Sequence, residues 1–169
     1  MANNYSWGLY ALLAVALAAP VSANTTAKFN FTGSITKTTC GYASTDVAVP
    51  LGDVNVNVFS GIGSASPWVN FSLVSTGCSN VTTVQMKFTG TAAAGNSNLF
   101  AVTGGAAGAG VDIQTYNNQQ AVPNGSASIN WGPRAVGATY DFKARYMQTQ
   151  VAITSGTANA VATVLISYI

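Results

Sequence analysis

Histidine and glutamate are absent from this chain of 169 residues, and its four acidic residues are all aspartates. Without an imidazole there is no Ser-His or Cys-His pair, no histidine-ligated metal and no side chain that titrates near neutrality unless perturbed. Charge is scarce altogether: 6% of residues are charged, against about 25% in an average soluble domain. The net charge of +2 is too small and too scattered to favour a nucleic-acid partner. Asp46, Asp53, Asp112 and Asp141 fall on separate segments, so none has the sequence adjacency of an acid/base pair. A glycosidase that brings two of them together in space is the residual enzymatic alternative. An enzyme is therefore not expected, nor any catalytic, metal-ligating or cofactor-binding residue. What the chain does have is apolar: 49% hydrophobic and 10% aromatic residues, too much for disorder, so one globular domain is expected.

Long apolar runs are also missing. Residues 9–19 form the longest, about the length of a signal-peptide apolar region and short of the roughly 20 residues a membrane span needs. Val21-Ser22-Ala23 supplies small residues for a signal peptidase, which places a signal peptide at residues 1–23. An uncleaved membrane anchor is the alternative, and residues 1–8 carry no Lys or Arg. Cys40 and Cys78 are the only cysteines. In an exported chain an even pair reads as a disulfide, and a zinc site would lack ligands. Two free buried thiols are the competing reading. A disulfide implies an oxidising compartment, the periplasm if the organism is bacterial.

From residue 24 onward there is no sustained 3.6-residue apolar period, and Thr, Val, Asn, Ser, Ala and Gly dominate, which suits strands and turns. Alternation recurs instead: Val54, Val56, Val58; Val69, Phe71, Leu73; Val84, Met86, Phe88; Val111, Ile113; Tyr140, Phe142, Ala144, Tyr146; and Ala160, Ala162, Val164, Ile166, Tyr168. Turn signals such as Gly61-Ile62-Gly63, Gly104-Gly105, Asn117-Asn118 and Pro123-Asn124-Gly125 bound these runs. The expected fold is an all-β antiparallel sandwich. The Gly/Ala-rich stretch 91–110 is expected to be a long loop, since strands of such small side chains pack poorly.

The two ends are the most informative. Ala27, Phe29, Phe31, Gly33 and Ile35 recur at every second position, so an extended chain puts all five on one face. At the other end residues 158–169 alternate through Val164, Ile166 and Tyr168 and finish without a polar tail, leaving an apolar strand edge that needs cover.

Here the sequence resembles the pilin subunits of chaperone-usher fimbriae, of the type 1 kind. That family has a glycine fourteenth from the end and a penultimate aromatic; Gly156 and Tyr168 stand in those places. Further matches are Phe31-Thr32-Gly33 before Cys40, Val49-Pro50-Leu51-Gly52 after it, Phe71-Ser72-Leu73 leading to Cys78, Phe88-Thr89-Gly90, and the segment from Phe142 to Tyr146. The resemblance implies an incomplete immunoglobulin-like sandwich, completed by donor-strand complementation. Residues 36–169 would be the pilin domain and residues 24–35 a donor-strand extension carrying Ala27, Phe29, Phe31, Gly33 and Ile35. Gly156 would mark the start of the last strand. Val164, Ile166, Tyr168 and Ile169 would belong to the acceptor groove and the chaperone contact, with the Ile169 carboxylate held by basic chaperone residues. The implied partners are a periplasmic pilus chaperone, an outer-membrane usher and neighbouring fimbrial subunits, with no cofactor. Its destination would be the cell-surface fimbrium, reached through the periplasm, where it supports adhesion. Few residues precede Phe29, which is brief for a rod subunit and closer to linear tip adapters.

Blander readings stand beside these. Phe29 and Phe31 pair within their own sheet if the chain is a complete, self-standing carbohydrate-binding adhesin domain, the alternative function. Trp68 or Trp131 would then stack on the sugar, although each reads more simply as a core or loop residue. Lys143 and Arg145, near Asp141, read as a solvated strand face.

Overall fold

A computed structural model describes residues 32–34 and 37–169. The donor-segment positions Ala27, Phe29, Phe31 and Ile35, and residues 1–23, lie outside the described residues. Gly33 is described and exposed. Of two compact units, the second, Ile35–Ile169, holds all the described secondary structure. Ten strands follow one another: β1 (Thr39–Tyr42), β2 (Val69–Ser79), β3 (Val84–Thr89), β4 (Ala92–Ala93), β5 (Asn96–Ala101), β6 (Ala109–Thr115), β7 (Gln120–Ala121), β8 (Asn124–Trp131), β9 (Thr139–Gln148) and β10 (Thr163–Tyr168). They form two antiparallel sheets. One runs β1-β2-β9-β6-β5-β4, with β7 beside β6, and the other runs β10-β3-β8.

Alternation explains why the sheets face each other. Val84, Met86 and Phe88 of β3 are at most 3% exposed, and the residues between them turn outward. Tyr140, Phe142 and Ala144 of β9 do the same in the opposing sheet. Both rows belong to one continuous apolar cluster, which makes the pair of sheets an immunoglobulin-like sandwich. Each large side chain so buried contributes about 1.5 to 3 kcal/mol. At the centre the Phe142 ring stacks on Phe71 and meets Phe88 edge-on, both at 5.5 Å, and meets Trp131 edge-on at 5.6 Å.

Cys40 and Cys78 are directly opposite each other in the β1–β2 register and are joined as a disulfide, with Cα atoms 4.1 Å apart. The bridge fastens β1 to the edge of the larger sheet.

Several expectations are corrected. Val54, Val56 and Val58 do not form a strand: Val56–Val58 is a 3-10 turn, because the Asn55 side chain accepts from the Asn57 N–H at 2.9 Å and starts it. Residues 91–110 are not a loop but hold β4, β5 and the start of β6. Leu99 and Phe100 anchor β5 at 1% and 0% exposure, and a side chain at Gly110 would sit 2.8 Å from the Ala93 methyl. Small residues there permit close approach rather than preventing a strand. β8, unforeseen, has Ile129 as its only fully buried residue and is held by its ladder to β3. The last strand begins at Thr163, so Ala160 and Ala162 precede it, and Gly156 does not mark its start.

Candidate functional site

The irregular segment between β9 and β10 explains where Gly156 went. Thr154 bridges to Ala107 and Asn159 to Thr103. Gly156 lies between those bridges, and a Cβ there would collide with the Gly105 and Ala106 backbone. The glycine lets two backbones touch, and the chain then rises into β10.

β10 pairs with β3 through six register pairs on one side. On its other side no strand is paired among the described residues. Alternation turns Val164, Ile166 and Tyr168 inward, half-buried against the core, and leaves Leu165 64% exposed on the outer face. Beside this bare edge lies a cleft of about 1080 Å³. Its floor is apolar: Phe71 and Leu73 of β2, Met86 and Phe88 of β3, Phe100 of β5 and Phe142 of β9. Val164 and Ile166 line one wall, and residues from Ser44 to Phe59 line another. Residues 44–54 make no backbone–backbone hydrogen bond among the described residues. Both walls thus carry unpaired main-chain groups over an apolar floor, an arrangement that suits an extended peptide; Asp46 and Asp53 also line the cleft, on the wall of residues 44–59.

The ends of the cleft are tyrosine-rich. Burial pushes the Tyr146 phenol above its ordinary value, and the Asp53 carboxylate adds to the effect. The Tyr146 hydroxyl donates to the Ala158 carbonyl at 2.6 Å. At the other end burial raises Tyr42, helped by the neighbouring Tyr168 hydroxyl. Gly156 lines the cleft together with Val164 and Ile166, whereas Tyr168 and Ile169 stand past its end. The Ile169 main-chain oxygen accepts from the Thr82 and Thr83 N–H groups at 2.6 and 2.9 Å and from the Thr82 hydroxyl at 2.8 Å.

The tryptophans and cations are placed differently from the sugar-stacking alternative. Trp131 ends β8 and packs edge-on against Tyr140. The Trp68 ring is covered by the Arg145 guanidinium at 3.9 Å and the Lys143 ammonium at 4.6 Å. Arg145 pairs with buried Asp112 at 3.2 Å, not with Asp141. Asp141 accepts instead from the Ser72 hydroxyl at 2.8 Å, and Lys143 donates to Asn118. Sequence reasoning missed Asp112: an aspartate between two apolar strand positions carries no signal of the arginine that the β6–β9 register sets directly opposite it.

A model of the fimbrial protein family matches residues 29–169. The S-fimbrial adhesin protein SfaS of Escherichia coli O6:K15:H31 is 35% identical over 137 residues, covering 81% of this chain and 82% of that one. The type 1 fimbrial subunit of Salmonella typhimurium is 31% identical over 149 residues, covering 82% of this chain and 80% of its own. Among solved structures, a Burkholderia pseudomallei antigen and type I fimbria protein superposes with a TM-score of 0.60 at 30% identity, over 77% of this chain and 88% of that chain. The P pilus rod subunit PapA, at 19% identity, shares the fold with a TM-score of 0.67 over 77% of this chain and 99% of its own. With the family's model spanning nearly all of residues 24–169, and two sheets flanking an apolar cleft, the chain belongs to the fimbrial protein family, whose members are structural subunits and not enzymes.

Proposed function

We propose that this chain is a structural subunit of a chaperone-usher fimbria and polymerises by donor-strand exchange. A periplasmic chaperone fills the cleft first and delivers the subunit to an outer-membrane usher. The extension of the next subunit then replaces the chaperone's strand, and the fibre it builds supports adhesion. The observation that carries this reading is the cleft, with an unpaired strand edge on one wall, a segment without backbone–backbone hydrogen bonds on another and six apolar side chains between them. A strand added there gains main-chain ladder bonds and places alternate side chains in the core.

Ala27, Phe29, Phe31, Gly33 and Ile35 supply the matching period on the donor. Burying Phe29, Phe31 and Ile35 contributes about 1.5 to 3 kcal/mol each before ordering costs. Gly33, without a side chain, fits where backbones approach closely. Every molecule then offers one plug and one socket, a head-to-tail contact that propagates as a filament. Gly156, Val164 and Ile166 form part of the acceptor groove, and Tyr168 and Ile169 extend the chaperone contact beyond it. Residues 1–23 direct export, and the disulfide forms in the periplasm.

Expression of residues 24–169 without a chaperone tests the proposal. The expected product is unstable, or polymerises slowly, and is rescued by a synthetic peptide of residues 24–35. A stable monomer that unfolds cooperatively and protects residues 24–35 from protease at high dilution would falsify it.

A further inference from the structure

Charge is scarce in this chain, and half of its aspartates line the cleft. Asp46 and Asp53 are the only charged residues lining it among the described residues, and both stand on the wall of residues 44–59. The other two aspartates have partners, Asp112 in Arg145 and Asp141 in the Ser72 hydroxyl. Asp46 and Asp53 are exposed, and among the described residues neither has an ion-pair partner. They mark opposite ends of the cleft. Asp53 lies near Tyr146, whose hydroxyl bonds the Ala158 carbonyl just before β10 begins. Asp46 follows Tyr42, at the end where β10 finishes and the Tyr168 hydroxyl donates to the Cys40 carbonyl at 3.2 Å.

The proposed donor has the opposite charge. Residues 24–38 contain Lys28 and Lys37 and no acidic residue, and the two lysines bracket the apolar row from Phe29 to Ile35. Lys37 is exposed, and its carbonyl accepts from the Asn80 side chain at 3.5 Å, so it stands where the segment joins the body of its own subunit. Only Thr38 separates it from β1, a reach of about 7 Å, so an incoming body sits at whichever end of the cleft Lys37 leaves by. The cleft lining continues through residues 153–163, before and into the start of β10, and stops at Tyr42 at the other end. The first end has room for that body. A donor leaving there runs antiparallel to β10, with Lys37 beside Asp53 and Lys28 beside Asp46. Nine extended steps span about 30 Å between the lysines, and seven span at most about 23 Å between the aspartates, a difference that two long lysine stems cover.

We propose that Asp46 and Asp53 are specificity-determining residues that receive Lys28 and Lys37 of the incoming subunit, so that charge selects the donor and sets its register. This rests on the donor-strand reading above. The apolar row cannot set the register alone, because a slip of two residues keeps the same face inward. Such a slip carries one lysine about 7 Å further from its aspartate, which distinguishes the registers. Pairs this exposed act on the choice and rate of uptake more than on how firmly the seated strand is held.

The test refolds the oxidised chain of residues 24–169 with two synthetic peptides of residues 24–38 in competition, the natural one and one carrying Lys28→Glu and Lys37→Glu. Native mass spectrometry of the filled chain reads which peptide is taken up, and requires no stable unfilled chain. The natural peptide should be preferred about fivefold in about 20 mM salt and less than about twofold in about 500 mM salt, where screening is nearly complete beyond a few ångströms. Asp46→Asn together with Asp53→Asn should abolish the preference, whereas Asp141→Asn, which removes a charge outside the cleft, should leave it unchanged. Asp53→Lys should shift uptake towards a peptide carrying Lys37→Glu alone and not towards one carrying Lys28→Glu alone. No preference in the unsubstituted chain overturns the proposal, as does a preference that survives high salt or the paired Asn substitutions. The opposite pattern in Asp53→Lys overturns the pairing of Asp53 with Lys37. A chain that takes up neither peptide overturns the donor-strand reading itself, and this inference with it.

Discussion

Neighbouring residues on β10 offer a sharp test of how a donor would sit. Ile166 faces the cleft and is half-buried, while Leu165 is 64% exposed on the outer face. A strand seated along the bare edge removes the remaining exposed part of Ile166 from water and leaves Leu165 unchanged. Full burial of an isoleucine is worth about 1.5 to 3 kcal/mol, so completing a half-buried one contributes about 1 to 1.5 kcal/mol. Ile166→Ala should therefore weaken binding of a peptide of residues 24–35 about tenfold, since 1.4 kcal/mol corresponds to one decade of affinity. Leu165→Ala should stay within about twofold of wild type. Fluorescence anisotropy of the labelled peptide reads both. Equal weakening by the two substitutions, or by neither, would mean that the donor does not lie against the inner side of β10.

Other outcomes follow from the rest of the molecule. Replacing Cys40 and Cys78 together by Ala reopens a loop of sequence separation 38, and urea unfolding of the peptide-filled chain should show a loss of about 4 kcal/mol; a loss below about 1 kcal/mol would leave the β1–β2 edge held by its ladder alone. Burial raises the Tyr42 and Tyr140 phenols, so the folded state keeps protons that the unfolded chain releases from about pH 10 upward. Thermal stability of the filled chain should accordingly be level between about pH 7 and 9 and fall above about pH 10 as phenolate absorbance grows, whereas a fall within the level range would contradict this assignment. Gly108 and Gly52 both have positive φ, +81° and +74°, but only at Gly108 would a Cβ strike backbone, at Ala152. Gly52→Ala should cost about 1 kcal/mol and Gly108→Ala about 3 kcal/mol in the same unfolding assay, and equal costs would remove the close approach as the cause.

Much of this was readable in the residues, for identifiable reasons. β3 and β9 announce themselves because one face is buried and the other wet, so their apolar residues alternate strictly. The inward row of β10 is legible in the same way. β8 is not, because Ser126, Ser128 and Asn130 surround its one deeply buried isoleucine and its support comes from main-chain bonds to β3. β5 was hidden by Leu99-Phe100, adjacent residues that are both buried because small neighbours let chain approach from two sides. In the cleft, the β10 wall followed from alternation, whereas the alternating Val47, Val49 and Leu51 of the wall of residues 44–54 belong to no strand, so alternation there did not signal pairing. The link from Tyr168 to Cys40 depends on two distant segments arriving at one place, which no local pattern encodes.

The position of the disulfide has a mechanical consequence. On the donor-strand proposal, tension in a fibre would enter each molecule through the residues just before β1, the proposed plug. Without a crosslink that tension would unzip β1 from β2 one pair at a time, the weakest geometry in which a ladder can be pulled. Cys40 is only the second residue of β1, and its sulfur is joined to Cys78 near the end of β2, whose residues Val69–Val74 are paired with β9. On that proposal the seated plug would yield first under traction, all its bonds strained together, while the body of the subunit stays intact.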